Sequence, residues 1–101
     1  MKAAKKRRLE AAGWKETTVK EFLNLSDADM EYIEMKLALS RRLRELRQEK
    51  KLTQIRAATL LKTSQSRLAR MEAGDPTVSL DLLVRGLFAL GETWRDLAKT
   101  V

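Results

Sequence analysis

Residues 52–74 constrain the fold of this chain more than any other segment. Their sequence, LTQIRAATLLKTSQSRLARMEAG, holds two short stretches with helical spacing of apolar residues, separated by a polar break. Thr53 and Ser64 are hydroxyl residues of the kind that cap helix N-termini, and Gly74 suits the left-handed conformation that ends a helix. The pattern predicts two short helices joined by a tight turn, at about 54–61 and 65–72.

The second of these helices is predicted to be amphipathic. Leu68 and Met71 lie three residues apart and are expected to face the core, while polar and cationic side chains face outward. Glutamine can hydrogen-bond adenine at two points and arginine can do the same to guanine, while a small residue lets the helix approach the base edges. The outer face therefore predicts a helix that reads the major groove of DNA. Its candidate contacts are Ser64, Gln65, Ser66, Arg67, Ala69 and Arg70.

Neighbouring segments supply candidate contacts to the DNA backbone. Gln54, at the start of the preceding helix, is expected to hydrogen-bond a phosphate, and Lys62 lies in the turn. Arg44 is expected to extend the phosphate contacts along an earlier helix, together with Arg41 and Arg42. The plainer alternative is a helical hairpin whose polar face is only solvated. That would be the better prediction for two short helices that carried no further matching residues.

The remaining sequence predicts an all-α fold of five helices. Ser26 is a good cap for a long first helix, which runs without Pro or Gly to about residue 50. One apolar stripe of that helix (Leu39, Leu43, Leu46) suits the domain core, and another (Met30, Ile33, Leu37) must be buried against residues 14–25 or a second subunit. Later helices are predicted at 80–90, capped by Ser79, and at about 94–99, capped by Thr93. The predicted division is a flexible basic arm (1–12), an N-terminal extension (13–26) with a strand at 17–19 or a helix at 19–23, and the helical domain (27–101).

Composition narrows the functional classes. The 101 residues carry a net charge of +7 with a pI of about 10.1, which favours a polyanionic partner. The chain has no cysteine and no histidine, so disulfides, thiolate metal sites and His-based acid–base catalysis are excluded. An RNA-cleaving enzyme would be supported by basicity alone, so we expect no enzyme, no cofactor and no metal site. With no apolar run of transmembrane length and no signal peptide, we expect no membrane association and a cytoplasmic, nucleoid-associated location.

The motif resembles a known family. Its string Leu52-Thr53-Gln54, Ala58, Leu61, Ser64-Gln65-Ser66 and Glu72-x-Gly74 is similar in register to the Cro/CI-type (XRE-like) helix-turn-helix transcriptional regulators. The resemblance implies a five-helix, lambda-repressor-like domain with a long first helix, and a buried structural ion pair between Arg47 and Glu72. Two positions depart from the family pattern. Lys62 stands where glycine is usual, and Ala57 replaces a bulky aliphatic residue for which Ile55 is expected to compensate.

A wider resemblance covers about residues 17–99. Residues 19–26 and 75–83, on either side of the long helix and the motif, look like the HigA-like antitoxin subgroup. This implies a repressor that autoregulates its operon and neutralises a RelE/HigB-like ribonuclease toxin. The acidic stretch 21–34 is a candidate contact for that toxin; the alternative is that these acids only complement the positive start of the long helix and keep the surface soluble. The alternatives are a stand-alone or phage-type regulator, and a protein-interaction module with weak DNA binding. We expect a homodimer on a double-stranded operator, with candidate dimer surfaces at Leu87, Phe88, Leu90 and Trp94.

Overall fold

The computed structural model describes residues 24–100, and these form five α-helices with no β-strand among them. The helices are α1 (Asp27–Glu49), α2 (Gln54–Leu60), α3 (Gln65–Glu72), α4 (Leu80–Ala89) and α5 (Trp94–Thr100). The prediction of an all-α fold is confirmed for this part of the chain. The basic arm, the strand or helix at 17–23 and most of the extension lie outside the described residues.

The chain divides into two units, Met1–Glu34 and Met35–Val101, so α1 begins in the first and continues into the second. In the described part of the first unit, Ser26 caps α1 through a reciprocal pair of hydrogen bonds. Its hydroxyl accepts the N–H of Asp29 at 3.1 Å, and the Asp29 carboxylate accepts the N–H of Ser26 at 3.1 Å. The N–H of Ser26 and then its hydroxyl, which donates to the same carboxylate oxygen at 2.9 Å, lower the pKa of Asp29. Met30, in the next turn, is fully buried.

Hydroxyl residues also cap the helices of the second unit. Thr53, Ser64 and Ser79 each accept a backbone N–H from the first turn of the helix that follows. Thr93 and Asp96 repeat the reciprocal arrangement at the start of α5, and the hydrogen bonds from Thr93 lower the pKa of Asp96. All these caps were predicted, because a cap depends only on residues within one turn.

One hydrophobic core holds the second unit together. It takes the predicted stripe of α1 and the inner faces of the other helices: Leu39, Leu43, Leu46, Ala57, Ala58, Leu68, Met71, Val78, Leu83, Leu87, Leu90 and Leu97. Because α2 and α3, with 7 and 8 residues, are too short to be stable by themselves in water, this shared core fixes where they lie. None of the described helices is long and apolar enough to cross a membrane.

The burial pattern corrects two expectations. Ile55 does not compensate for Ala57 in the core, since Ile55 is 64% exposed and Ala57 is fully buried. Leu87 and Leu90 are core residues and offer no surface to a second subunit. Phe88 and Trp94, by contrast, are 43% and 65% exposed.

Candidate nucleic-acid interface

The turn between α2 and α3 is closed by backbone hydrogen bonds around Lys62. Lys62 adopts a left-handed conformation with φ of +57°, and the N–H of Thr63 donates to the carbonyl of Ala58 at 2.9 Å. This is the usual way in which a helix end satisfies its free carbonyls. Ser64 then starts α3, its Oγ accepting the N–H of Arg67 at 3.1 Å. The lysine therefore takes the conformation that glycine takes more easily, and the tight turn is preserved.

The two faces of α3 differ as the spacing predicts. Leu68 and Met71 are 0% and 1% exposed and face the core. The opposite face is open to solvent, with Gln65, Ser66, Arg67 and Arg70 exposed and Ala69 half-buried. A helix of eight residues thus presents amide, hydroxyl and guanidinium groups with a small residue among them, which is the combination that direct reading of base edges requires.

An ion pair fixes the C-terminal end of α3 against α1. Arg47 Nε donates to Glu72 Oε2 at 2.6 Å and Nη2 donates to Oε1 at 3.0 Å, so the contact is two-pronged. Both side chains are largely buried, at 13% and 4% exposed. Arg47 Nη1 also donates to the carbonyl of Leu52 at 2.8 Å, which ties in the loop before α2. The ion pair that the resemblance implied is therefore part of a small network that sets the direction of α3.

Gln54 belongs to that network as well. Its side-chain nitrogen donates to Glu72 Oε1 at 3.3 Å, and the residue is only half-buried. The side chain thus has an internal hydrogen-bond partner, and the phosphate contact expected for Gln54 stays a prediction. Its position at the first residue of α2 is as predicted.

Arg44 lies on α1 beside α3. It is exposed and borders a shallow depression of about 290 Å³ that is also lined by Gln54, Ala69 and Ala73. Arg41 is exposed too. Arg42 is different, and the expectation that it contacts phosphate is wrong because its guanidinium is occupied by carboxylates.

The partner of Arg42 is a buried carboxylate that the sequence analysis did not identify. Arg42 Nε donates to Glu92 Oε2 at 2.6 Å, and Nη1 donates to Glu49 Oε1 at 3.0 Å. The Glu92 side chain is 6% exposed, and these hydrogen bonds raise the pKa of Arg42. In the sequence, Glu92 is simply a polar residue between Gly91 and Thr93. No local pattern pairs it with a residue in α1, so only the packed helices reveal the contact.

The described residues contain no group of three or more Asp, Glu, His or Cys side chains able to hold a metal ion.

The described residues form two short helices joined by a tight turn, and the second helix has a buried apolar side and an exposed polar side. This arrangement defines the class of helix-turn-helix proteins, whose members bind DNA. A family model described as a helix-turn-helix domain matches residues 38–98, and the chain belongs to that family. No curated protein and no solved structure matches the chain.

Proposed function

We propose that this protein is a sequence-specific transcriptional repressor that reads its operator with α3. The observation that supports this most directly is the orientation of that helix. Its apolar side is buried by the core, so the side carrying Gln65, Ser66 and Arg70 is the one left to face a groove. In this proposal Gln65 and Arg70 select bases, Ser64, Ser66 and Arg67 assist them, and Ala69 allows close approach. Gln54, Lys62 and Arg44 contact phosphates and set the register.

A homodimer is part of the proposal. One short helix reads only a few base pairs, and two-fold symmetry doubles the contact when half-sites lie about one helical turn apart. Phe88 on α4 and Trp94 on α5 are exposed aromatic residues close to one another in the chain, and they support a contact through these two helices. The same function implies a location with the DNA, in the nucleoid of the cytoplasm.

The test of base reading is a double substitution, Gln65→Ala with Arg70→Ala. The unaltered chain is first used to select preferred duplexes from a randomised library. We expect the double variant to keep its helical circular dichroism and its salt-dependent affinity for DNA but to lose preference for the selected duplex. Each lost two-pronged contact removes about 1–3 kcal/mol of discrimination. Lys99→Ala, which removes an exposed cation from the end of α5, is the control and should keep the preference. A double variant that still discriminates as well as the unaltered chain would remove α3 from the proposal.

We further propose that the repressor is the antitoxin of a toxin–antitoxin pair. The support is the resemblance of residues 19–26 and 75–83 to the HigA-like subgroup, together with acidic residues at the start of α1 (Asp27 and Asp29) that suit a basic ribonuclease toxin. The experiment is co-expression with the product of the adjacent gene. Growth rescue and co-purification support the antitoxin role. If neither occurs, the stand-alone regulator is the better description, and the proposal of operator binding is unaffected.

A further inference from the structure

A six-residue pattern occurs twice in this chain, once at the start of each helix of the motif. Residues 51–56 read KLTQIR and residues 62–67 read KTSQSR, so both copies follow the order Lys, any residue, Thr or Ser, Gln, any residue, Arg. The first copy leads into α2 and the second leads into α3. Only the second copy contains the residues assigned above to base reading.

The two copies have the same backbone structure. Lys51 and Lys62 have φ values of +56° and +57°. Thr53 and Ser64 are both extended, with φ and ψ of −74° and 162° in one and −83° and 155° in the other. Each hydroxyl accepts the N–H of the arginine three residues later, Arg56 or Arg67, at 3.1 Å in both cases. The pattern is therefore a structural repeat and not a coincidence of letters.

The cations of the first copy do not stabilise the fold through any described contact. Lys51 and Arg56 are exposed, and the side chain of neither forms a hydrogen bond or an ion pair with a residue in the range 24–100. A lysine at positive φ is less stable than glycine would be. Neither α2 nor α3 has an acidic residue in its first turn, while α1, α4 and α5 all do. The first copy thus keeps two solvent-facing cations at some cost to stability, in the same arrangement as the second copy.

We propose that Lys51 and Arg56 bind the phosphodiester backbone of DNA and form a second cationic contact beside the recognition helix. The inference rests on the proposed function, since it extends the same interface along α2. Lys51 and Arg56 repeat Lys62 and Arg67 in sequence, backbone conformation and exposure, and phosphates are the anions that a DNA duplex presents next to a groove occupied by α3. Because phosphates carry no sequence information, this contact adds affinity equally to all duplexes.

The experiment compares the unaltered chain with Lys51→Gln plus Arg56→Gln on a fluorescently labelled duplex of random sequence. Binding is measured by anisotropy at salt concentrations between about 50 and 200 mM. Each lost phosphate contact lowers the slope of log affinity against log salt by about 0.9, so we expect a decrease of about 1.8. Preference for the selected duplex over the random one should not change. The charge-conserving variant Lys51→Arg plus Arg56→Lys should keep the slope of the unaltered chain.

The control with the same change in net charge is Lys50→Gln plus Lys99→Gln, just after α1 and in the last turn of α5, where both residues are exposed. If the control lowers the slope as much as the α2 variant, net charge and not contact is responsible, and the proposal is overturned. An unchanged slope in the α2 variant overturns it as well, while base reading by α3 stands. If the double variant fails to fold, Arg56→Gln alone should show half of the expected decrease. No binding of any duplex by the unaltered chain would instead remove the proposed function and this inference together.

Discussion

Three residues other than glycine adopt a left-handed backbone among the residues that the structure describes: Asn24, Lys51 and Lys62. Asparagine visits this region more readily than lysine does, because its short polar side chain can hydrogen-bond locally. The two lysines are therefore the informative cases. Lys62 lies in the middle of the turn that positions α3, and its left-handed conformation makes the fold less stable than glycine would. The proposed contact with DNA explains why a lysine stands at this position.

Lys62→Gly should separate stability from binding. We expect the free energy of unfolding to rise by about 1 kcal/mol, because glycine adopts positive φ without a clash at Cβ. DNA affinity should fall, and its salt slope should decrease by about 0.9, because one phosphate contact is lost. Urea unfolding and anisotropy titrations measure the two effects. Lys62→Ala keeps the conformational cost and removes the charge, so it should weaken binding equally without stabilising the fold. A glycine variant less stable than the unaltered chain would contradict this account of the turn.

The ion pairs Arg47–Glu72 and Arg42–Glu92 connect α1 to other parts of the second unit. Arg47 joins α1 to the end of α3 through Glu72, and Arg42 joins it to the residues before α5 through Glu92. In each pair the carboxylate is the more buried partner, at 4% and 6% exposed. Removing one partner of such a pair leaves the other charge poorly solvated. The loss in free energy of unfolding is therefore larger than for a pair on the surface.

Glu72→Gln tests the ion pair that connects α1 to α3. We expect the free energy of unfolding to fall by about 3 kcal/mol, since the guanidinium of Arg47 stays in its largely buried position without a counter-charge. Chemical denaturation gives the value. The matched control is Asp81→Asn in the Asp81–Arg85 pair of α4, where both side chains are more than 70% exposed, at 74% and 77%. That control should change the free energy by less than about 1 kcal/mol. Equal effects from the two substitutions would mean that burial does not govern the Arg47–Glu72 pair.

The domain leaves several large apolar side chains in contact with solvent. Ile55 lies on α2, while Phe88 and Trp94 lie on α4 and α5, and the guanidinium of Arg95 stands 4.8 Å from the centre of the Trp94 ring. Isolated exposed apolar residues are common on protein surfaces, but two exposed aromatic residues six positions apart in the chain are candidates for a contact surface. They support the proposal of a dimer formed through the C-terminal helices.

Phe88→Ser with Trp94→Ser should convert the proposed dimer to a monomer. Both side chains are substantially exposed in the single chain, so we expect the substitutions to leave the helical circular dichroism and the folded monomer intact. Sedimentation velocity should show the change in mass, and affinity for a palindromic duplex should fall because the two half-sites are no longer bound together. Ile55→Ser replaces an equally exposed apolar residue on α2 and should leave the dimer unchanged. A double variant that sediments as a dimer would place the contact elsewhere.

The parts of this protein that could be predicted from its sequence are those set by neighbours along the chain. Thr53, Ser64 and Ser79 cap helices where predicted, and Gly74 has the left-handed φ of +75° that its position suggested. Helical spacing correctly assigned Leu68 and Met71 to the core. Each of these inferences needs only the residues within one or two helical turns, so no knowledge of packing was required.

Which polar groups are free and which are occupied was decided by the tertiary structure. Arg41 and Arg42 are adjacent and chemically identical in sequence, yet Arg41 is exposed and Arg42 is held by Glu92, fifty positions away in the chain. Ile55 and Leu87 are both aliphatic, but only Leu87 reaches the core. The sequence alone determined the helices, their ends and the class of the motif, because capping and periodicity are local. The choice of partners and of exposed faces came from packing one long and four short helices around one core, which brings together residues that no local pattern relates.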